Sequence, residues 1–83
     1  MNVQLKYFAS IREAIGQGSE RVNTQAVTLK ALREEMILRG GAYAEALAQG
    51  RAVRMALNQD LCDESAFLSE GCEVAFFPPV TGG

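Results

Sequence analysis

The stretch Phe76-Phe77-Pro78-Pro79-Val80-Thr81-Gly82-Gly83 holds the one arrangement in the chain that invites chemistry. Pro78 and Pro79 donate no ladder hydrogen bond, so they end a strand. They favour an extended polyproline II path and keep Phe77 out of the α region. The six residues from Pro78 to Gly83 then reach at most about 20 Å. Gly82 and Gly83 have no Cβ and can thread a channel too narrow for other residues. Gly83 presents a carboxylate with nothing beside it to hinder attack. Glycines are also common in frayed termini, but a frayed end needs no stiff root.

Conventional catalytic kits are missing. The chain has no histidine, so no Ser-His-Asp or Cys-His relay can be assembled. Its glycines form neither a dinucleotide-binding nor a Walker pattern. Cys62 and Cys72 are ten apart, which is not a zinc or redox spacing; both read as small buried hydrophobes. Asp60, Asp63 and Glu64 read as a solvated turn, and no metal site is expected. Met36, Met55 and Tyr7 read as core, Tyr7 with a polar tip.

The totals agree with a small binding module. At 83 residues, 48% hydrophobic and 22% charged, the chain is one globular domain and not a disordered polyelectrolyte. A net charge of −2 offers no basic excess for nucleic acid. No apolar run approaches the roughly 20 residues that span a bilayer. The N-terminus, MNVQLKYFAS, lacks a signal-peptide core. No nucleic-acid or membrane partner is expected, and the location is expected to be cytoplasmic.

The elements that must carry the tail follow from periodicity. Val3, Leu5 and Tyr7 alternate with Gln4, Lys6 and Phe8, which predicts a half-buried strand. Ile11, Ala14 and Ile15 have helical spacing before Gly16-Gln17-Gly18, predicting a short helical turn or loop. Arg21–Thr24 is β-prone and predicts a return beside the first strand. Thr28 is an N-cap for the main helix, with Leu29, Leu32, Met36 and Ile37 as its apolar stripe. Lys30, Arg33, Glu34 and Arg39 are assigned mostly to its outer face, with Lys30–Glu34 and Glu35–Arg39 as i,i+4 pairs. Gly40-Gly41 ends it, and Tyr43–Gln49 predicts a second short helix stopped by Gly50. Arg51–Asn58 predicts a strand with Val53, Met55 and Leu57 inward. Asn58-Gln59-Asp60 is a turn and Leu61-Cys62 a short return. Cys72–Phe77 predicts the last strand: Cys72, Val74 and Phe76 inward, Glu73, Ala75 and Phe77 outward. The first and last strands, the most apolar, are expected side by side and parallel at the centre of a small mixed sheet wrapped on one main helix.

The ending EVAFFPPVTGG resembles the small, sulfur-carrying subunits of molybdopterin synthases. The likeness extends to VQLKYFASIREAIG, TLKALREEM and ALNQ, and so to essentially the whole chain. It implies an α+β fold of the β-grasp, ubiquitin-like kind: a mixed four- to five-stranded sheet packed on one main helix. Residues 1–77 would be the domain and 78–83 the tail. It implies that an ATP-dependent adenylating enzyme activates Gly83, that a sulfur donor protein converts it to a thiocarboxylate, and that no cofactor is held by the chain itself. Pro78, Pro79, Val80, Thr81 and Gly82 would insert into the large synthase subunit, in a heterotetramer, and the sulfur would attack cyclic pyranopterin monophosphate. Phe77 and Phe8, outward by alternation, are the candidate partner contacts; the opposite register would expose Phe76 instead. Two alternatives stand: a ubiquitin-like protein modifier, which would use the same adenylation and tail, and a sulfur carrier for thiamine thiazole synthesis, which resembles the same fold with the Gly-Gly end but usually without the PPV step.

Overall fold

The structure, a computed structural model, describes residues 1–79. Within them the chain runs β1 (Asn2–Tyr7), α1 (Ala9–Ile15), β2 (Ser19–Asn23), α2 (Leu29–Ile37), α3 (Gly41–Leu47), β3 (Arg54–Leu57), β4 (Asp60–Cys62) and β5 (Glu73–Phe77). The strands form one sheet in the order β2-β1-β5-β3-β4. β1 and β5 are parallel, in the register Leu5↔Val74 and Tyr7↔Phe76, and the other neighbours are antiparallel. This is the β-grasp arrangement, with β5 central and β1 beside it as expected.

Alternation decides what is buried. Val3, Leu5 and Tyr7 of β1, and Val74 and Phe76 of β5, are sealed against Leu29, Leu32 and Met36 of α2. Met55, Ile11 and Leu47 join the same core. The roughly ten-residue β1–β2 connection, long for a hairpin, is filled by a true helix, α1. Its C-cap Gly16 is left-handed and returns its N–H to Arg12 O at 2.8 Å. Thr28 caps α2 as read, accepting from Ala31 N at 3.2 Å. Gly40 and Gly41 both have positive φ, 76° and 56°, so the chain reverses between α2 and α3 through a turn that side-chain-bearing residues avoid. Asn58 (φ 50°) and Gln59 (φ 72°) make the two-residue β3–β4 hairpin, a primed turn whose twist suits its strands.

Several expectations need correction. The Arg51–Asn58 strand is shorter, Arg54–Leu57, because Arg51 closes a turn onto Ala48 O (2.9 Å), residues 52 and 53 only lead into the sheet, and Asn58 belongs to the hairpin turn. The second helix stops at Leu47, short of Gly50. Ala48 turns to an extended backbone (φ −49°, ψ 146°), and the carbonyls freed there are capped by Arg33, assigned to the exposed face but only 3% exposed. Its Nε donates to Leu47 O (2.8 Å) and its Nη2 to Ala48 O (2.7 Å) and Arg51 O (3.1 Å). Glu64 lies 3.7 Å from Nη1. A helix C-terminus exposes unpaired carbonyls and partial negative charge, and a buried guanidinium satisfies both. The i,i+4 pairing of Glu35 with Arg39 gives way to tertiary partners. Glu35 accepts from Thr24 Oγ1 (2.7 Å), and Arg39 pairs with Glu20 (3.2 Å).

Ala75, read as outward, is buried, as is Ala56 opposite it. On a central strand a methyl group is covered by the longer side chains flanking it. Cys72 is buried but Cys62 is only half-buried, because β4 is an edge strand with one neighbour.

Replacing Arg33 with Met should cost about 3 kcal/mol of stability, because it leaves three carbonyls and the Glu64 carboxylate without their buried cation. Urea unfolding measures this. A loss below about 1 kcal/mol, the scale of an ordinary single hydrogen bond, would show that water takes over the guanidinium's partners.

Candidate functional site

The tail leaves the sheet from the end of β5, and three aromatic residues define that point. Phe76 is fully buried, and Phe77 is half-buried opposite Arg54. Alternation therefore ran in the expected register, although Phe77 is more covered than an open surface residue. Phe8 follows β1 and is 47% exposed. Its N–H donates to Phe76 O at 3.2 Å, extending the parallel ladder by one bond. Ala9, directly after it, takes a left-handed φ of 51°, so the chain turns sharply where Phe8 is displayed. Pro78 and Pro79 are half-buried and belong to no strand or helix. Val80, Thr81, Gly82 and Gly83 lie outside the described residues.

The outer face of the sheet extends this site. The register aligns Lys6, Ala75, Ala56 and Leu61 in one row across β1, β5, β3 and β4. The two alanines give the middle of the face no bulk. Leu61 stands 68% exposed at its far side, and Phe77 lies two residues above Ala75. An exposed leucine, an exposed phenylalanine and a half-buried one around a low alanine centre are the raw material of a protein contact. Polar groups rim it: Lys6 pairs with Glu73 at 3.4 Å, and Arg54 is exposed.

Leu61 was missed in the sequence, where it read as half of a short return strand with no face assigned. The signal was present. A two-residue hairpin sets Leu61 opposite Ala56, and Ala56 shares a face with Arg54.

Behind the tail root lies a polar cluster that the sequence did not announce. Tyr7 Oη donates to Glu20 Oε2 at 2.7 Å, and Tyr43 Oη donates to the same oxygen at 2.6 Å. Arg39 Nη1 holds Oε1 at 3.2 Å, and Gln17 Nε2 donates to Tyr43 Oη at 3.0 Å. Burial, and then the Glu20 hydrogen bond and charge, push the Tyr7 hydroxyl well above the usual phenol range. Burial works to raise Glu20 as well, but the donors Tyr43, Tyr7 and Arg39 outweigh it and hold the carboxyl below its usual range. Glu20 is thus an anion with its oxygens committed, not an available base.

The acidic turn is partly committed, Glu64 Oε2 being buried without a hydrogen-bond partner. Asp63 accepts from the Ser65 N–H and hydroxyl, and Glu64 faces Arg33. Among the described residues no group of three or more His, Cys, Asp or Glu side chains converges as a metal site. What the described residues present is an exposed apolar face beside the point where the last strand ends.

Residues 5–83 match the ThiS family, and the match runs through the glycine pair. This chain belongs to the ThiS family. Within that family it is 40% identical over 81 residues to the molybdopterin synthase sulfur carrier subunit of Escherichia coli K12, spanning 98% of this chain and 99% of that one. The corresponding subunit of Haemophilus influenzae is 39% identical over 77 residues, spanning 93% and 94%. Among solved structures, a complex of subunits 1 and 2 of the molybdopterin-converting factor from Helicobacter pylori contains a chain 27% identical, with a TM-score of 0.70 and full coverage of both chains. The ThiS-family fold thus comes with relatives that are sulfur carriers, and with one seen in complex with a second subunit.

Proposed function

We propose that this chain is the sulfur-carrier subunit of a molybdopterin synthase and that Gly83 is the residue that carries the sulfur. The observation that supports it most is the end-to-end likeness to sulfur carrier subunits of that enzyme, reaching the glycine pair. The geometry agrees: an exposed apolar face adjoins the point where the tail departs.

The chemistry follows from the carboxylate. A carboxylate is a poor electrophile, so an ATP-dependent activating enzyme first joins Gly83 to AMP and releases pyrophosphate. The terminal sulfur of a donor-protein persulfide then attacks the acyl carbon and AMP leaves; a thiol cleaves the resulting acyl disulfide, taking the donor sulfur into a new disulfide and leaving the thiocarboxylate. That group is largely ionised at neutral pH and nucleophilic through sulfur, as thiolates are. The tail, from Pro78 through Gly82, places it in the large subunit, where sulfur passes to cyclic pyranopterin monophosphate and two transfers build the dithiolene. Groups that move protons or bind phosphate belong to the large subunit, which accounts for a carrier without histidine. Phe8, Leu61 and Phe77 make the docking face. A cytoplasmic location goes with this reading. Among the described residues no helix is long and apolar enough to cross a membrane.

The intact mass of the protein from its own cells, with fragmentation at the C-terminus, tests this. One oxygen replaced by sulfur on Gly83 is the expected result. An unmodified Gly83 beside an active activating enzyme would overturn the proposal, and lysine-linked conjugates would redirect it to a protein modifier.

A further inference from the structure

The Glu20 cluster plays no part in sulfur chemistry, yet four segments of the chain spend polar groups on it. Tyr7 comes from β1, Tyr43 from α3, Arg39 from the turn after α2, and Gln17 from the turn before β2. Packing alone does not call for this. Phenylalanine would fill the Tyr7 position with nothing to desolvate, whereas a buried hydroxyl and carboxylate must be dehydrated before they can bond. What the hydroxyl adds is direction: its bond to Glu20 fixes where the long axis of the Tyr7 ring points.

That ring touches the tail root. Tyr7 and Phe76 are the last register pair of the parallel ladder. Their rings stack at 6.2 Å between centroids with 14° between planes, within the range of favourable offset stacking. Strand ends open first in native-state fluctuations. On its β3 side β5 stays paired to the end, with Met55↔Phe76 and Arg54↔Phe77; on its β1 side the end is held by one backbone bond, Phe8 N–H to Phe76 O, and by this stack. Phe8 follows Tyr7 directly and takes its placement from the locked pair; Phe77 follows Phe76 and shares its placement between that pair and its β3 neighbour Arg54.

We infer that Tyr7, fixed by Glu20, is a positioning residue that sets the tail root and the Phe8 and Phe77 side chains for docking. This rests on the reading that Phe8 and Phe77 meet the large subunit. Tyr43 supplies the control. It donates to the same Glu20 oxygen and meets Tyr7 edge-on, but the hydroxyl it would lose does not orient the ring stacked on Phe76.

The test compares Tyr7→Phe with Tyr43→Phe in the full chain. Both keep their rings and lose one hydroxyl. Amide hydrogen exchange comes first. In Tyr7→Phe the Phe8 N–H should exchange about tenfold faster, the scale of one lost hydrogen bond. The Gln4 N–H, bonded to Cys72 O at the other end of the ladder, should hardly change. In Tyr43→Phe both amides should stay within about twofold of the parent, well under that tenfold scale. Calorimetric titration with the large subunit of a molybdopterin synthase comes second. The Kd should rise about tenfold for Tyr7→Phe, and less than about twofold for Tyr43→Phe. Equal effects of the two variants on the Phe8 amide would overturn the inference. So would an unchanged Kd for Tyr7→Phe where the parent binds. If the parent itself does not bind the large subunit, the docking reading falls, and the exchange comparison alone decides whether Tyr7 fixes the root.

Discussion

A chain extended by one residue after Gly83 should melt like the parent and transfer no measurable sulfur. The extension moves the terminal carboxylate by up to about 3.5 Å along the chain. Misplacing a reacting group by about 1 Å can cost about a hundredfold in rate, so a drop of more than about a thousandfold is expected from geometry alone. The extension also replaces an unhindered glycyl end with a new α-carbon at the point of activation. The described fold ends its last strand at Phe77, well before this position, so stability has no reason to change. Single-turnover conversion of the pterin precursor, with a thermal melt as control, makes the measurement. Normal conversion by the extended chain would defeat the carrier proposal, since sulfur would then have to enter elsewhere.

The second large effect concerns the sheet face and not the tail. Leu61→Asp should weaken binding to the large subunit by about a hundredfold or more, the scale of an interface hot spot. It should shift stability by less than about 0.5 kcal/mol, as surface substitutions do. The reason is the exposure of Leu61: 68% of it is open in the free chain, so folding gains little from it. Docking would bury it whole, and a carboxylate there would be desolvated without a partner. Titration calorimetry reads the binding loss and chemical denaturation the stability. Unchanged affinity would confine the partner's contacts to the tail and its root.

The two experiments divide the proposal. The extension tests whether the terminus is the reacting group, and Leu61→Asp tests whether the outer sheet face is the docking surface. A chain that fails the first and passes the second docks through its tail alone.

Local pattern was enough for much of this protein. Alternation in β1 and β5, the Thr28 cap, the apolar stripe of α2 and the Asn58-Gln59 turn were legible because each rests on neighbours in the chain. The parallel pairing of the first and last strands was legible because both are apolar enough to need a central place. The end of the last strand at Phe77 was legible because Pro78 and Pro79 donate no ladder hydrogen bond.

Only the tertiary structure decided the rest. Arg33 looked like a solvated helix residue until the end of α3, fourteen residues away, supplied carbonyls for it to cap. Arg39 left its helical neighbour for Glu20, and Glu20 became a hub because Tyr7 arrives from β1 and Tyr43 from α3. Leu61 acquired meaning from a row of residues on four strands. Helix caps, alternation and turns are short-range effects written in sequence order. Burial of a charge, or membership of a surface, depends on which distant segments arrive beside it, and that is settled only when the sheet closes over its helices.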